Sequence, residues 1–186
     1  MTFRELDESS SGAGRFAAVD VGYPPTGGAR AALVLAGEPR FADLQDERCV
    51  VLEEVAPYRP GRFFERELPA IRAVLAGAGD LDLVVVDGYV HLDPDGRPGL
   101  GAHLHAEVGV PVIGVAKTLF RSATQAIEVR RGGATRPLYV TAAGVDAAWA
   151  AELVQAMEGR YRLPDALRRV DALSRARAAP GVCHPG

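Results

Sequence analysis

At 186 residues the chain has a one-domain length, with enough sequence for a full hydrophobic core. About half of it (48%) is apolar and the formal charge is −3, the profile of an ordinary soluble globular protein. Such a mild charge gives no global attraction to a polyanion or a membrane, so any contact with nucleic acid must rest on a local patch.

The stretch before residue 15, "MTFRELDESSSGAG", is polar, lacks a signal-peptide core and reads as a loose lead-in over 1–14. "RFAAVDVGY" (15–23) predicts a strand, "PPTGG" a turn, and "ARAALVLAG" (29–37) an antiparallel partner. "RCVVLEEVA" (48–56) predicts a third strand. In "RFFERELPAIRAVLAGAG" (62–79) Phe63, Leu68, Ile71, Val74 and Leu75 recur at helical spacing; Pro69 within it marks a kink or a second start. "DLVVVDG" (82–88) and "VPVIGVAK" (110–117) are apolar runs of the kind buried on both faces of a sheet. Between them lie a loop rich in Gly, Pro and Asp and a short helix over 99–109. "RPLYVTA" (136–142) reads as one more strand, and residues 146–158 and 165–177 as helices. The tail over 179–186 is expected to be disordered, leaving one domain over 15–178. Cys49 and Cys183 stand far apart and form no metal or disulfide pattern, which suits a reducing compartment. No apolar run approaches the length of a membrane span, so the expectation is a cytoplasmic protein.

Three strands followed by strand–helix alternation predict a mixed α/β sheet: an antiparallel meander, then parallel strands, flanked by helices. Parallel strands on either side of the first strand would create a switch point there, and sites gather at the strand ends around such a point. Asp87 ends one strand and Asp20 stands near the end of the first, so neighbouring parallel strands bring the two carboxylates together. Glu67, on the helix after the third strand, could complete the group. Two unit charges ~4 Å apart interact at ~4 kcal/mol at an effective dielectric of ~20. Either one acid takes up a proton or a hard cation sits among them. A cation with open coordination positions is what phosphodiester chemistry needs. The alternative for each acid taken singly is a turn former or helix cap.

At these residues the chain resembles the endonuclease V family. The matching stretches are "VDVGY" (19–23), "PYRPGRFFERELP" (57–69), "LDLVVVDG" (81–88), "GLGAHL" (99–104), "VPVIGVAK" (110–117) and the segment 145–171. They span most of the chain in the family's order. The resemblance implies an RNase H-like fold. It also implies hydrolysis of a phosphodiester one nucleotide beyond the 3′ side of a deaminated purine, inosine above all, in DNA or RNA, with Mg²⁺ or Mn²⁺ as cofactor. Asp20, Glu67 and Asp87 match the family's metal-binding acids. Asp171 falls where the family has a further polar or acidic residue that could ligate a second ion; otherwise it is an exposed helix acid paired with Arg168 or Arg175. Lys117 would steady the phosphate or the leaving group, or else is a solvated lysine at a strand exit. Tyr58, held between two prolines in "PYRP", resembles a strand-separating wedge whose ring stacks in the gap left by a flipped base; the alternative is plain packing. Arg59 stands where relatives carry an apolar residue. The lesion pocket is expected from backbone groups near Gly88 and after Tyr58.

The chain also departs from the family pattern Asp-Gly-x-Gly followed by His-Pro-Arg. Here Val90 takes the place of the second glycine, and Asp93 and Asp95 flank Pro94 where His and Arg would stand. The spacing to "GLGAHL" is one residue long. His91 could stand in for the missing histidine or be a plain loop residue, and His103 could support the site or simply pack. These departures bear on substrate preference and rate more than on fold. Arg160, Arg162, Arg168, Arg169, Arg175 and Arg177, with Arg59, Arg62 and Arg66, could supply the local basic patch or be ordinary exposed-helix arginines. The reading is therefore a monomeric metal-dependent nuclease with no membrane contact. A binding module on the same fold that has lost turnover, and a metabolic α/β protein whose acids are caps, are the alternatives.

Overall fold

In the computed structural model, which describes residues 14–25, 27–57, 59, 62–176 and 183–185, the first apolar run forms β1 (Phe16–Gly22). It turns back through a short link into β2 (Ala29–Ala36), every residue of which is buried. A strand buried along its whole length needs a backbone partner along its whole length, because unpaired buried N–H and C=O groups are costly. β3 (Leu44–Leu52) meets that need, pairing from Ala29↔Leu52 to Ala36↔Leu44 with one register shift at Leu35/Ala36. It therefore begins four residues before the expected 48 and leaves Glu53 to Ala56 outside the sheet.

The helix α1 (Phe64–Leu75) is continuous through Pro69, so the proline marks no second start. β4 (Leu83–Asp87) follows, then α2 (Leu100–Val108) and β5 (Val112–Ala116). A three-residue strand, β6 (Ile127–Val129), precedes β7 (Leu138–Ala143); it is too short for its pattern to show in the sequence. The helices α3 (Ala147–Ala156) and α4 (Asp165–Arg175) close the regular structure, α3 capped by the Asp146 side chain, which accepts from the Trp149 N–H at 2.9 Å. Within the tail expected to be disordered, Cys183–Pro185 forms β8, parallel to β3. The register pairs Cys49 with Cys183, and Cys49 is disulfide-bonded, contrary to the expectation of unpaired cysteines: strand pairing closes a distance that the sequence leaves open.

The sheet order is β6-β7-β5-β4-β1-β2-β3-β8. β1 is antiparallel to β2 and parallel to β4, and β4 is parallel to β5, so the central parallel strands lie to one side of β1 and not on both sides as expected. Side-chain alternation divides the core in two. Phe16, Ala18, Leu83 and Val85 pack with Leu153, Val154, Leu167 and Val170 of α3 and α4. Ala17, Val19, Val84 and Val86 pack with Leu68, Ile71, Val74 and Leu104 of α1 and α2. Arg131, just after β6 and almost fully buried, gathers four carbonyls where α3 ends and the chain crosses to α4. It donates to Gln155 O at 3.3 Å, Gly159 O at 3.1 Å and Tyr161 O at 3.4 Å, and also to Met157 O. No helix among the described residues is long and apolar enough to cross a membrane.

Candidate active site

The last register pair of the β1–β4 ladder is Val19↔Val86, so Asp20 and Asp87 follow side by side. Asp20 continues the alternation of Phe16 and Ala18, and Asp87 that of Leu83 and Val85, which sends both carboxylates to the α4 face. There α4 seats Val170 and Leu173 in the core and presents Asp171 and Ser174 beside them. One carboxylate oxygen from each of Asp20, Asp87 and Asp171 lies within 4.8 Å of the other two. The Ser174 hydroxyl donates to Asp20 Oδ2 at 2.7 Å. Glu67 approaches from α1 on the opposite face of the sheet, only 7% exposed; it feels the charges of Asp20 and Asp87 and is not one of the mutually close set. The structure thus gathers three of the four acids singled out in the sequence and sets the fourth alongside.

The electrostatics of this corner are unfavourable by construction. Burial, and then the charges of Asp20 and Asp87, push the Glu67 carboxyl up to about 9, with Arg66 pulling weakly the other way. Burial also raises Asp87, although Lys117 opposes it. For Lys117 burial favours the neutral amine, but its hydrogen bonds and charge contacts with Asp87 and Asp171 win and hold it above its ordinary value. The Lys117 Nζ stands 2.6 Å from Asp87 Oδ2 and 3.2 Å from Asp171 Oδ1, and Arg175 lies 2.9 Å from the same Asp171 oxygen. Asp171 is therefore both a member of the cluster and the partner of Arg175, the two alternatives that its sequence position left open. Arg162 fixes the backbone beneath Lys117, donating to the Lys117 carbonyl and to Pro137 O at 2.7 Å.

An all-oxygen donor set whose members can be spanned by one ion, in surroundings that penalise an uncompensated carboxylate, fits a hard divalent cation. Cation–oxygen distances of ~2.0–2.6 Å are compatible with oxygens separated by up to ~5 Å across the ion.

A cavity of about 320 Å³ opens beside the acids and takes in Glu67 and Asp87. Its walls are largely aromatic, from Phe63, Phe64, Tyr89 and Phe120, and Gly88, Gly99 and Arg97 complete the rim. Gly88 has φ +146°, a conformation that side chains rarely adopt, and donates its N–H to Val115 O at 3.1 Å. Gly114 on β5 leaves room for the chain after Asp87, since a Cβ there would stand 2.6 Å from Gly88 O. Val90, in place of the family's second glycine, is fully buried in the core, its N–H donating to Thr141 Oγ1 at 2.8 Å.

The other sequence-predicted residues fall in several places. His91 lies outside the cavity lining; it bridges to Pro98, and its carbonyl accepts from Gln125 Nε2 at 3.0 Å. The His103 ring stacks on Phe64 with centroids 3.7 Å apart, a packing role behind the cavity wall. Arg59 borders a separate depression with Pro57, Leu68 and Arg72, and Tyr58 lies outside the described residues. The Asp93 Oδ1 accepts from the Arg97 N–H at 2.9 Å. Sequence reasoning missed Tyr89, Phe120 and Arg97; the available signal was an arginine two residues before "GLG" in a loop that already departed from pattern.

Residues 3–140 match the family model described as Endonuclease V. The endonuclease V of Azotobacter vinelandii is 36% identical over 187 residues, covering 89% of this chain and 84% of that protein. The crystal structure of the Streptomyces avermitilis endonuclease V is 30% identical, with a TM-score of 0.70 over 88% of this chain and 80% of that one. That of the Ciona intestinalis endonuclease V, in complex with a 23mer DNA containing an inosine followed by a ribo-adenosine, is 18% identical. It shares the fold at a TM-score of 0.73 over 86% of this chain and 83% of that one. Family model, relatives and architecture agree: the fold is RNase H-like, and the chain belongs to the endonuclease V family of hydrolytic nucleases.

Proposed function

We propose that this protein is a repair endonuclease that hydrolyses a phosphodiester on the 3′ side of a deaminated purine, inosine foremost, in DNA or RNA, using Mg²⁺ with Mn²⁺ able to substitute. The observation that carries the reading is the convergence of Asp20, Asp87 and Asp171 within 4.8 Å, with Lys117 bound to two of them and a base-sized, aromatic-walled cavity alongside. Asp20, Asp87 and Asp171 would hold the cation, and Glu67 would complete its surroundings from the opposite face. Such an ion, when bound, polarises the scissile phosphate and makes an attacking water more acidic. Lys117 supplies a mobile positive charge at the end of β5, where a phosphate oxygen or the departing oxygen would gain negative charge. Ser174 keeps Asp20 oriented through its 2.7 Å hydrogen bond. Gly88 admits the base closely to the backbone, and Tyr58 serves as the wedge that fills its vacated place. The protein is read as a monomer with nucleic acid as its partner.

The test is an inosine-bearing oligonucleotide incubated with the protein and Mg²⁺ or Mn²⁺. The expected result is a single cut 3′ of the lesion that Asp87→Ala abolishes. Tight binding without cleavage would make the protein a binding module that has lost turnover, and neither binding nor cleavage would overturn the nucleic-acid reading altogether.

A further inference from the structure

The cavity beside the acids has few hydrogen-bonding side chains left to offer. The Tyr89 hydroxyl is already engaged twice, donating to Thr118 O at 2.8 Å and accepting from the Phe120 N–H at 3.0 Å. Glu67 and Asp87 belong to the acidic corner, and the phenylalanine walls have nothing to donate. Among the described residues lining the cavity, Arg97 is the one cation, and its guanidinium makes no hydrogen bond or ion pair with any described residue. Its backbone, by contrast, is tied down. The Arg97 N–H donates to Asp93 Oδ1 at 2.9 Å, its carbonyl accepts from the Leu92 N–H at 2.8 Å, and Gly96 N–H donates to Asp93 O at 3.2 Å to close the turn. The fixed backbone sets an exposed arginine, its fork of donors uncommitted, at the edge of the aromatic-lined cavity, within reach of a base held there.

The chemistry of that fork selects its target. A guanidinium presents parallel N–H donors that match two adjacent acceptors. A 6-oxopurine offers such a pair, O6 and N7, whereas adenine places an amine donor beside N7. Purine faces stacked between the phenylalanine and tyrosine rings would leave this edge as the one to be read.

We propose that Arg97 is a specificity-determining residue that reads the O6/N7 edge of a 6-oxopurine base held in this cavity. The inference rests on the reading of the protein as an inosine-directed nuclease and adds a cationic side-chain reader to that pocket. Asp93 is its positioning residue, acting through the turn.

Single-turnover cleavage of matched oligonucleotides carrying inosine, 7-deazainosine (no N7 acceptor) or unsubstituted purine (no O6) tests this. The wild-type protein is expected to lose about 5- to 140-fold on either altered base, the range of one bidentate arginine contact. Arg97→Gln is expected to fall by a similar factor on inosine and to show no further loss on the altered bases. Arg97→Lys, which keeps the charge and loses the fork, should behave as Arg97→Gln does. An equal loss on all three substrates in Arg97→Gln, with a shallower salt dependence, would make Arg97 a phosphate contact and overturn the proposal. So would full activity in Arg97→Lys, or a continuing penalty for 7-deazainosine in Arg97→Gln. Failure of the wild-type protein to cut inosine at all would instead remove the functional reading beneath it. Melting temperatures of both variants, read alongside, separate loss of fold from loss of recognition.

Discussion

The acidic corner and the 88–99 loop border one cavity, but they are held in place by different means. In the corner, Asp20, Asp87 and Asp171 are brought together by two strands and a helix whose neighbours are buried apolar residues, and Glu67 is pressed in from a helix on the other face. Their mutual repulsion is offset in part by Lys117 and Arg175 and for the rest by core packing elsewhere, so the corner is a net cost to stability and a gain to function. The loop shows the reverse. Its turn closes on its own hydrogen bonds, from the Arg97 N–H to Asp93 Oδ1, from the Leu92 N–H to Arg97 O and from the Gly99 N–H to Val90 O, and Ser122 Oγ and Gln125 Nε2 tie it to the next segment at 2.6 and 3.0 Å. The lesson is that corner substitutions should separate activity from stability, whereas loop substitutions should lower stability slightly and redirect selectivity.

The hardest test of that contrast is Asp87→Asn. It should cut cleavage of an inosine oligonucleotide by about a thousandfold or more, since several kcal/mol of charge stabilisation depend on the cation site. Its metal-free melting temperature should stay at or above that of the parent; a marked drop would show that the corner supports the fold after all. Next in size is Arg131→Ala, which removes the clasp under the α3–α4 connection and strands four carbonyls. A loss of about 3 kcal/mol in denaturant unfolding is expected, with a smaller fall in cleavage per folded molecule because the crossing leads into α4.

A pH series sharpens the comparison further. Glu67 binds its proton more tightly in the folded than in the unfolded chain, its carboxyl standing at about 9 because of burial and its acidic neighbours. Between the ordinary carboxylate range and that value the folded state holds the extra proton, so metal-free stability should decline as pH rises through this window. Glu67→Gln should flatten the decline and, by removing an acid from the site, weaken the rise in melting temperature on adding Mg²⁺. An unaltered pH slope would show that burial and the acidic neighbours do not raise the Glu67 carboxyl. The smallest effect belongs to the loop. Asp93→Ala, which removes the side-chain acceptor of the Arg97 N–H, should cost about 1 kcal/mol and narrow the preference for inosine over adenosine.

The same contrast explains what could be read in advance. β1, β4 and β5 were legible because strands buried on both faces are written as unbroken apolar runs, and acids that interrupt or end such runs stand out, as Asp20 and Asp87 do. β3 was misplaced because its first half, "LQDER", is polar; what recruits it is the need of fully buried β2 for a partner, a tertiary demand with no local pattern. β6 and β8 are three residues each and exist through pairing with β7 and β3. Asp171 stands out only through the family resemblance of the last helix, and its proximity to Asp87 depends on how α4 lies across the sheet. Arg97 is not legible because its location is set by a turn of five residues closed by an aspartate side chain.

Arg131 also ties the active corner to the far margin of the sheet. It follows the three-residue strand at that margin, yet it anchors the crossing from which α4, with Asp171 and Ser174, departs. Length variation among homologous chains should therefore accumulate after this arginine, in the "GGAT" turn that follows it, and stay rare between Val129 and Arg131. A deletion there would reach the chemistry through the backbone without touching a single ligand.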